Sequence, residues 1–193
     1  MIAIVILSAG ASVRMGTPKA NLKIGSTTFI NFILSNLRFC EFNPVFIVTG
    51  YHHQEIAAAV HTELNYKILR NPEPQRGQLS SLQVAIRHFS REITGLLMIL
   101  VDHPLVQEET YQKLFKTARQ YPQSIIIPTY RKRKGHPVYF SNDFFPALME
   151  TSWTMGAREV IKENMQAVHY LPVLDKGILL DIDTPEDLRK YIG

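Results

Sequence analysis

Short unbroken apolar runs alternate along the chain with stretches whose apolar positions recur at helical spacing. The runs at 2–7, 45–50 and 96–101 have the continuous hydrophobicity of strands buried on both faces, and shorter ones at 66–70 and 124–128 predict two more. Between them, 27–39, 52–64, 79–89 and 107–119 predict helices. In the first, Phe29, Ile30, Ile33, Leu34 and Leu37 share one face behind Ser26 and Thr27 as caps; the second is alanine-rich and weakly periodic. Residues 71–78, with two prolines and a glycine, are a loop. The order βαβαβαβαβ up to residue 128 predicts a mostly parallel sheet with helices on both faces, a Rossmann-like three-layer α/β/α fold.

Beyond residue 128 the pattern loosens. A basic run at 131–134 precedes a strand in 135–140, short helices at 142–149 and 156–163, and short strands at 168–174 and 178–180. The chain closes in a helix that starts with Thr184 and Asp187 as a capping box and Pro185 in the first helical position. With no internal repeat, low-complexity tract or linker, the expectation is one domain over 1–193.

Composition narrows the class. The content of 46% hydrophobic and 20% charged residues is that of a soluble globular protein with one sizeable core. The apolar runs fall well short of the ~20 residues of a membrane helix, so no membrane association is expected. The first run fits a strand rather than a signal peptide, because no basic segment or small-residue cleavage site flanks it. The single cysteine, Cys40, cannot form an internal disulfide; it fits a reducing cytoplasm and reads as a small buried hydrophobe. A net charge of +4 favours anionic partners without naming one.

The first strand runs into LSAGASVRMGTPK at 7–19, the position where open α/β sheets place their ligands. Gly10 and Gly16 allow close backbone approach, and Arg14 and Lys19 supply positive charge, so an anionic guest is expected, with a nucleoside triphosphate as first candidate. The loop fails two common phosphate-binding patterns, which demotes P-loop hydrolysis and NAD binding. Gly16 is followed by Thr17 and Pro18 instead of the Walker Lys-Ser/Thr, and Ser12 stands where a dinucleotide fingerprint needs its second glycine.

This loop, together with GQLSSL at 77–82, VDHPLV at 101–106, GHPVYF at 135–140, GAR at 156–158 and DIDTPEDL at 181–188, resembles the nucleotidyltransferases that include the molybdenum-cofactor cytidylyltransferases and guanylyltransferases. Six segments occur in the family's order and span nearly the whole chain. The resemblance implies the nucleotide-diphospho-sugar transferase type of fold. It also implies a reaction in which an acceptor phosphate attacks the α-phosphorus of a nucleoside triphosphate and pyrophosphate leaves.

It assigns Arg14 and Lys19 to the triphosphate, and Leu7, Ser8, Ala9, Gly10, Gly77, Ser80 and Ser81 to the base and ribose. Magnesium is expected on Asp102 together with Asp181 or Asp183. Asp102 closes a very apolar strand, where an idle carboxylate is costly to bury, although a cap or turn aspartate has the same pattern. Asp181 and Asp183, two apart in an extended segment, point to one side. Ala9 leans the base toward cytosine, hence CTP.

His136 and Arg158 are the acceptor candidates, and the run from Arg131 to Lys134 either clamps a phosphorylated substrate or is a solvated loop. His103 is equally consistent with a substrate contact and with a structural imidazole. Trp153-Thr154-Met155 stands where the family usually carries Gly-Asp before GAR, which leaves the acceptor open between molybdopterin and another small phosphorylated molecule. A molybdoenzyme or its chaperone is an expected partner. Nucleic acid is not, since Tyr130 is the only aromatic adjoining the basic run. The alternatives are guanylyl transfer and a regulatory nucleotide-binding module without turnover.

Overall fold

The computed structural model describes residues 1–40 and 43–192; the Cys40 side chain lies outside what is described. In chain order the elements are β1 (Ile2–Ser8), a small antiparallel pair β2 (Lys23–Ile24) and β3 (Thr27–Thr28), α1 (Phe29–Ser35), β4 (Val45–Thr49), α2 (His53–Ala59), β5 (Tyr66–Arg70), α3 (Gln78–Ile86) and β6 (Gly95–Leu100). They continue with α4 (Glu108–Gln120), β7 (Ile125–Tyr130), β8 (Arg133–Lys134), β9 (Val138–Ser141), α5 (Phe145–Glu150), α6 (Ala157–Glu163), β10 (Val168–Pro172) and α7 (Pro185–Tyr191).

The main sheet has the order β10-β7-β9-β6-β1-β4-β5, with β8 paired to β7. β1 pairs in parallel with β4 and β6, β4 with β5, and β7 with β10. Among the described residues of this sheet, only β9, wedged between β6 and β7, and the short β8 run antiparallel. The mostly parallel α/β/α architecture expected from the pattern is therefore present, with one reversed strand inside it.

Every residue of β1 is buried, and alternation sends its side chains to two cores. Ile2, Ile4 and Ile6 join Phe29, Ile33, Tyr111 and Leu114 from α1 and α4 on one face. Ala3, Val5 and Leu7 join Leu79, Leu82, Leu148 and Val160 from α3, α5 and α6 on the other.

Three local departures have identifiable causes. The helix expected at 52–64 stops at Ala59 because Asn31 on α1 donates to the Ala59 carbonyl at 2.8 Å and accepts from the His61 amide at 2.9 Å. Residues 27 and 28 belong to the small strand pair, so the first helix is shorter than 27–39. The strand expected at 178–180 is a 3-10 turn, Lys176–Leu179, capped by Asp175, whose Oδ1 accepts from the Gly177 amide at 2.7 Å. Asp175 Oδ2 also accepts from the Gln107 amide at 2.9 Å and the Thr110 hydroxyl at 2.8 Å, tying this turn to the start of α4. The capping box of α7 forms between Thr184 and Asp187 as the sequence predicts. Among the described residues, no helix is long and apolar enough to cross a membrane.

Candidate active site

The carboxyl ends of β1 and β6 open into a cavity of about 370 Å³. Leu7, Ser8, Ala9 and Gly10 form one wall, and Gly77, Gln78 and Ser81 another. Gly77 has φ +83°, the left-handed region that glycine enters without strain, where the chain turns into α3. Ser80, grouped with Ser81 by the sequence, lies behind this wall. Its hydroxyl donates to the Gly77 carbonyl at 2.8 Å and accepts from Asn71 Nδ2 at 2.8 Å, and Asn71 reaches Ser81 at 3.0 Å.

The first loop is shaped by Ser12 at φ +51°. Its carbonyl accepts from the Met15 and Gly16 amides, and its hydroxyl accepts from the Lys19 amide at 3.1 Å. That bond aims Lys19 into the cavity. Its ammonium lies 3.1 Å from Asp102 Oδ2 and in contact with Asp183 Oδ1. Arg14, with its side chain 66% exposed, reaches Asp183 Oδ2 at 2.7 Å. Residues far apart in sequence, from the first loop, the end of β6 and the segment before α7, thus meet in one charged cluster.

The electrostatics are coupled. Burial works against the Lys19 charge, but Asp102 first and then Asp183 outweigh it and raise the lysine above its ordinary range. Burial also opposes the Asp183 carboxylate, yet the hydrogen bond and charge of Lys19, with Arg14 behind them, hold it below the usual range. Asp102 Oδ1 is buried and has no hydrogen-bond partner. A charged oxygen left bare is costly unless something cationic takes it up.

Asp181 does not line this cavity; it is exposed, separated from Asp183 by the fully buried Ile182. No cluster of three or more His, Cys, Asp or Glu side chains is present among the described residues. Protein carboxylates at the site therefore come as the pair Asp102 and Asp183.

A second cavity, of about 650 Å³, adjoins the first, with Gln78 in the lining of both. It holds His136, Arg158 and Lys134, with Trp153 and Met155 at its rim. The two acceptor candidates are thus brought together, while the basic run is divided. Lys134 lines this cavity; Arg131 and Arg133 line a different one. His136 packs against His103 with ring centroids 5.1 Å apart, and the Nδ1 atom of each is buried without a partner. Burial, against the pull of Asp102, keeps His103 below its normal range; burial and then the neighbouring His103 push His136 down to about 4. Both imidazoles are neutral at neutral pH.

Three supporting residues escape a reading of motifs. His52 Nε2 lies 3.1 Å from the Ala11 carbonyl and braces the first loop. Asn71 organises the serines of α3. Gly50 packs so closely on Ala9 and Pro74 that a side chain there would push into the cavity wall. The glycine ending the second apolar run was the one available signal for the last of these; the other two depend on contacts between distant segments.

Comparison with known proteins adds independent information. The profile of the MobA-like NTP transferase domain matches residues 4–168. A protein named molybdenum cofactor cytidylyltransferase, from Escherichia coli K12, is 27% identical over 185 residues, covering 95% of this chain and 91% of its own. The purine catabolism protein PucB of Bacillus subtilis is also 27% identical, over 95% of this chain and 92% of its own. The crystal structure of Rv0371c from Mycobacterium tuberculosis superposes with a TM-score of 0.84 at 28% identity, covering 99% of this chain and 96% of that one. A manganese complex of the same mycobacterial protein gives a TM-score of 0.81 at 26% identity, covering 99% and 97%.

Proposed function

The chain belongs to the MobA-like NTP transferase family and is a nucleotidyltransferase, and we propose that it moves CMP from CTP to a phosphorylated acceptor of the molybdopterin type. The observation that carries this reading is Lys19 held between Asp102 and Asp183 in a cavity walled by residues 7–10 and the start of α3. In this reading 1–193 works as one nucleotidyltransferase domain in the cytoplasm.

An acceptor phosphate oxygen forms a bond to the α-phosphorus while the bond to the β-phosphate oxygen breaks, and pyrophosphate leaves with its electron pair. Charge grows on the phosphoryl oxygens, so preorganised cations and donors lower the barrier. Lys19 and Arg14, with the amides of the first loop, hold the triphosphate. Leu7, Ser8, Ala9, Gly10, Gly77 and Ser81 contact base and ribose, and Ser80 supports them through Gly77. His136 and Arg158, with Lys134, take the acceptor.

Magnesium fits the donor set of two hard carboxylates, one of which, Asp102, has its Oδ1 unpartnered. Asp102 and Asp183 would hold it, and Asp181, exposed beyond Ile182, is the weaker candidate. When bound, it would offset negative charge on the triphosphate and leaving group. That the mycobacterial protein forms a manganese complex supports the use of a divalent cation.

Ala9 at the base wall and the name of the Escherichia coli relative favour CTP. The test crosses CTP, GTP and UTP with molybdenum-loaded molybdopterin and with phosphorylated sugars, reading pyrophosphate release. Turnover with CTP and molybdopterin supports the proposal. Preference for GTP, or turnover only with another acceptor, replaces its specific part, and no turnover with any pair favours the regulatory-module alternative.

A further inference from the structure

The part of the basic run left out of the acceptor cavity forms a structure of its own. β7 and β8 are joined by a two-residue turn: Thr129 pairs with Lys134 and Tyr130 with Arg133, leaving Arg131 and Lys132 at the tip. Both have positive φ, +48° and +66°. A hairpin of this kind favours Asn-Gly, which enters that region at little cost, whereas Arg and Lys are strained there. Strain held in a local backbone is a pointer to function.

What the strain secures is a display of charge. Arg131, Arg133 and Lys176 surround a recess of about 580 Å³ flanked by Tyr130 and Tyr191, and no acidic residue lines it. Arg131 lies over the Tyr130 ring at 5.4 Å, which fixes its guanidinium at the rim. Among the described residues, none of these three cations takes part in an ion pair. Unpaired guanidinium forks next to aromatic faces match carboxylates, which they grip in bidentate fashion. The recess accepts groups of side-chain size, and the charge is gathered at a tip, whereas a nucleic-acid strand needs a long basic groove to track its backbone.

We propose that the Arg131–Arg133–Lys176 recess is a docking site for an acidic protein segment, separate from the nucleotide and acceptor cavities. The hairpin would hold a Glu- or Asp-rich stretch of a partner protein while transfer proceeds elsewhere.

The test uses the full chain and a fluorescein-labelled polyglutamate peptide, read by anisotropy at low and high salt. The wild type should bind, more weakly as salt rises, and Arg131→Glu/Arg133→Glu/Lys176→Glu should lose at least about tenfold in affinity while pyrophosphate release stays at its wild-type rate. A control of equal charge on α4, Lys113→Glu/Lys116→Glu/Arg119→Glu, should retain binding. A second variant, Arg131→Asn/Lys132→Gly, should melt no lower than wild type because the turn is relaxed, and still bind the peptide more weakly. The proposal is overturned if the wild type does not bind, if both charge-reversal sets lose affinity equally, if Arg131→Asn/Lys132→Gly binds like wild type, or if a labelled RNA oligonucleotide binds more tightly than the peptide.

Discussion

The amide of Ile182 donates to the carbonyl of Asp102 at 2.8 Å. This one backbone bond joins the end of β6 to the segment before α7, and because Ile182 is fully buried its position is fixed. The neighbours Asp102 and Asp183 are thereby presented to the same lysine, across a long interval of sequence. The acidic half of the site is thus set by backbone, before any ligand contributes.

Replacing Asp102 by Ala should cut transfer by more than about a hundredfold while the protein stays folded. Its Oδ1 has no partner to lose and Lys19 keeps Asp183 as a counter-ion, so the melting temperature should move little. Near-normal pyrophosphate release from a folded Asp102→Ala variant would remove this carboxylate from the metal site.

Asp183 and Asp181 should separate cleanly. Asp183 touches Lys19 and Arg14, whereas Asp181 is exposed and lies outside the cavity. Asp183→Ala should therefore weaken manganese binding, measured by paramagnetic resonance, and Asp181→Ala should leave it close to wild type. The reverse ordering would reassign the ligand.

Lys19→Met should lower kcat by about a hundred- to a thousandfold, the cost of one preorganised donor facing developing charge. Lys19→Arg should restore only part of it, because the compact ammonium fits between two carboxylates and a planar fork does not. Steady-state rates at saturating nucleotide check both.

Stability should fall on mild acidification. His136 binds its proton at about 4 in the folded protein against 6.5 as an ordinary histidine, so between those values the unfolded chain holds more protons. Stability is accordingly complete above about 6.5 and is lost as pH drops toward 4, by at most about 3 kcal/mol from this residue. His103, also lowered, acts in the same direction. Urea midpoints at about pH 7 and about pH 4.5 should differ less in His136→Gln than in wild type; equal differences would refute the assignment.

Asp175→Ala should be among the most destabilising single changes outside the core. It strands the Gln107 and Gly177 amides and the Thr110 hydroxyl, at a cost of about 2–4 kcal/mol. For a chain of this size that corresponds to roughly 5–15 °C in melting temperature, measurable by calorimetry.

Much of the architecture was readable because it rests on local patterns. Strand β5 falls on the residues its apolar run predicted, β1 extends its run by one residue, and the α7 capping box needs only neighbours three apart. The first loop was conspicuous for the same reason: its glycines and cations sit within a few residues of one another. What stayed hidden depends on distant partners. Nothing near Ala59 reveals that Asn31 will end its helix, nothing in the spacing of Asp175 shows that it will turn an expected strand into a 3-10 turn, and the two serines of α3 look alike until Asn71 claims them both. The reversed direction of β9 was equally invisible, since an antiparallel strand and a parallel one have the same hydrophobic run.

That inserted strand bears on how the chain is made. In the finished sheet β7 touches β6 only through β9, which lies later in the sequence. On the ribosome, β1, β4, β5 and β6 can assemble as soon as they emerge, but Ile125–Tyr130 must wait for residues 138–141 before it has a place beside them. During that interval the strand has only its two-residue pairing to β8, which leaves the apolar stretch Ile125–Ile127 without a strand beside it, the condition under which nascent chains aggregate. Synthesis that stalls after residue 134 would release its product at the most vulnerable point.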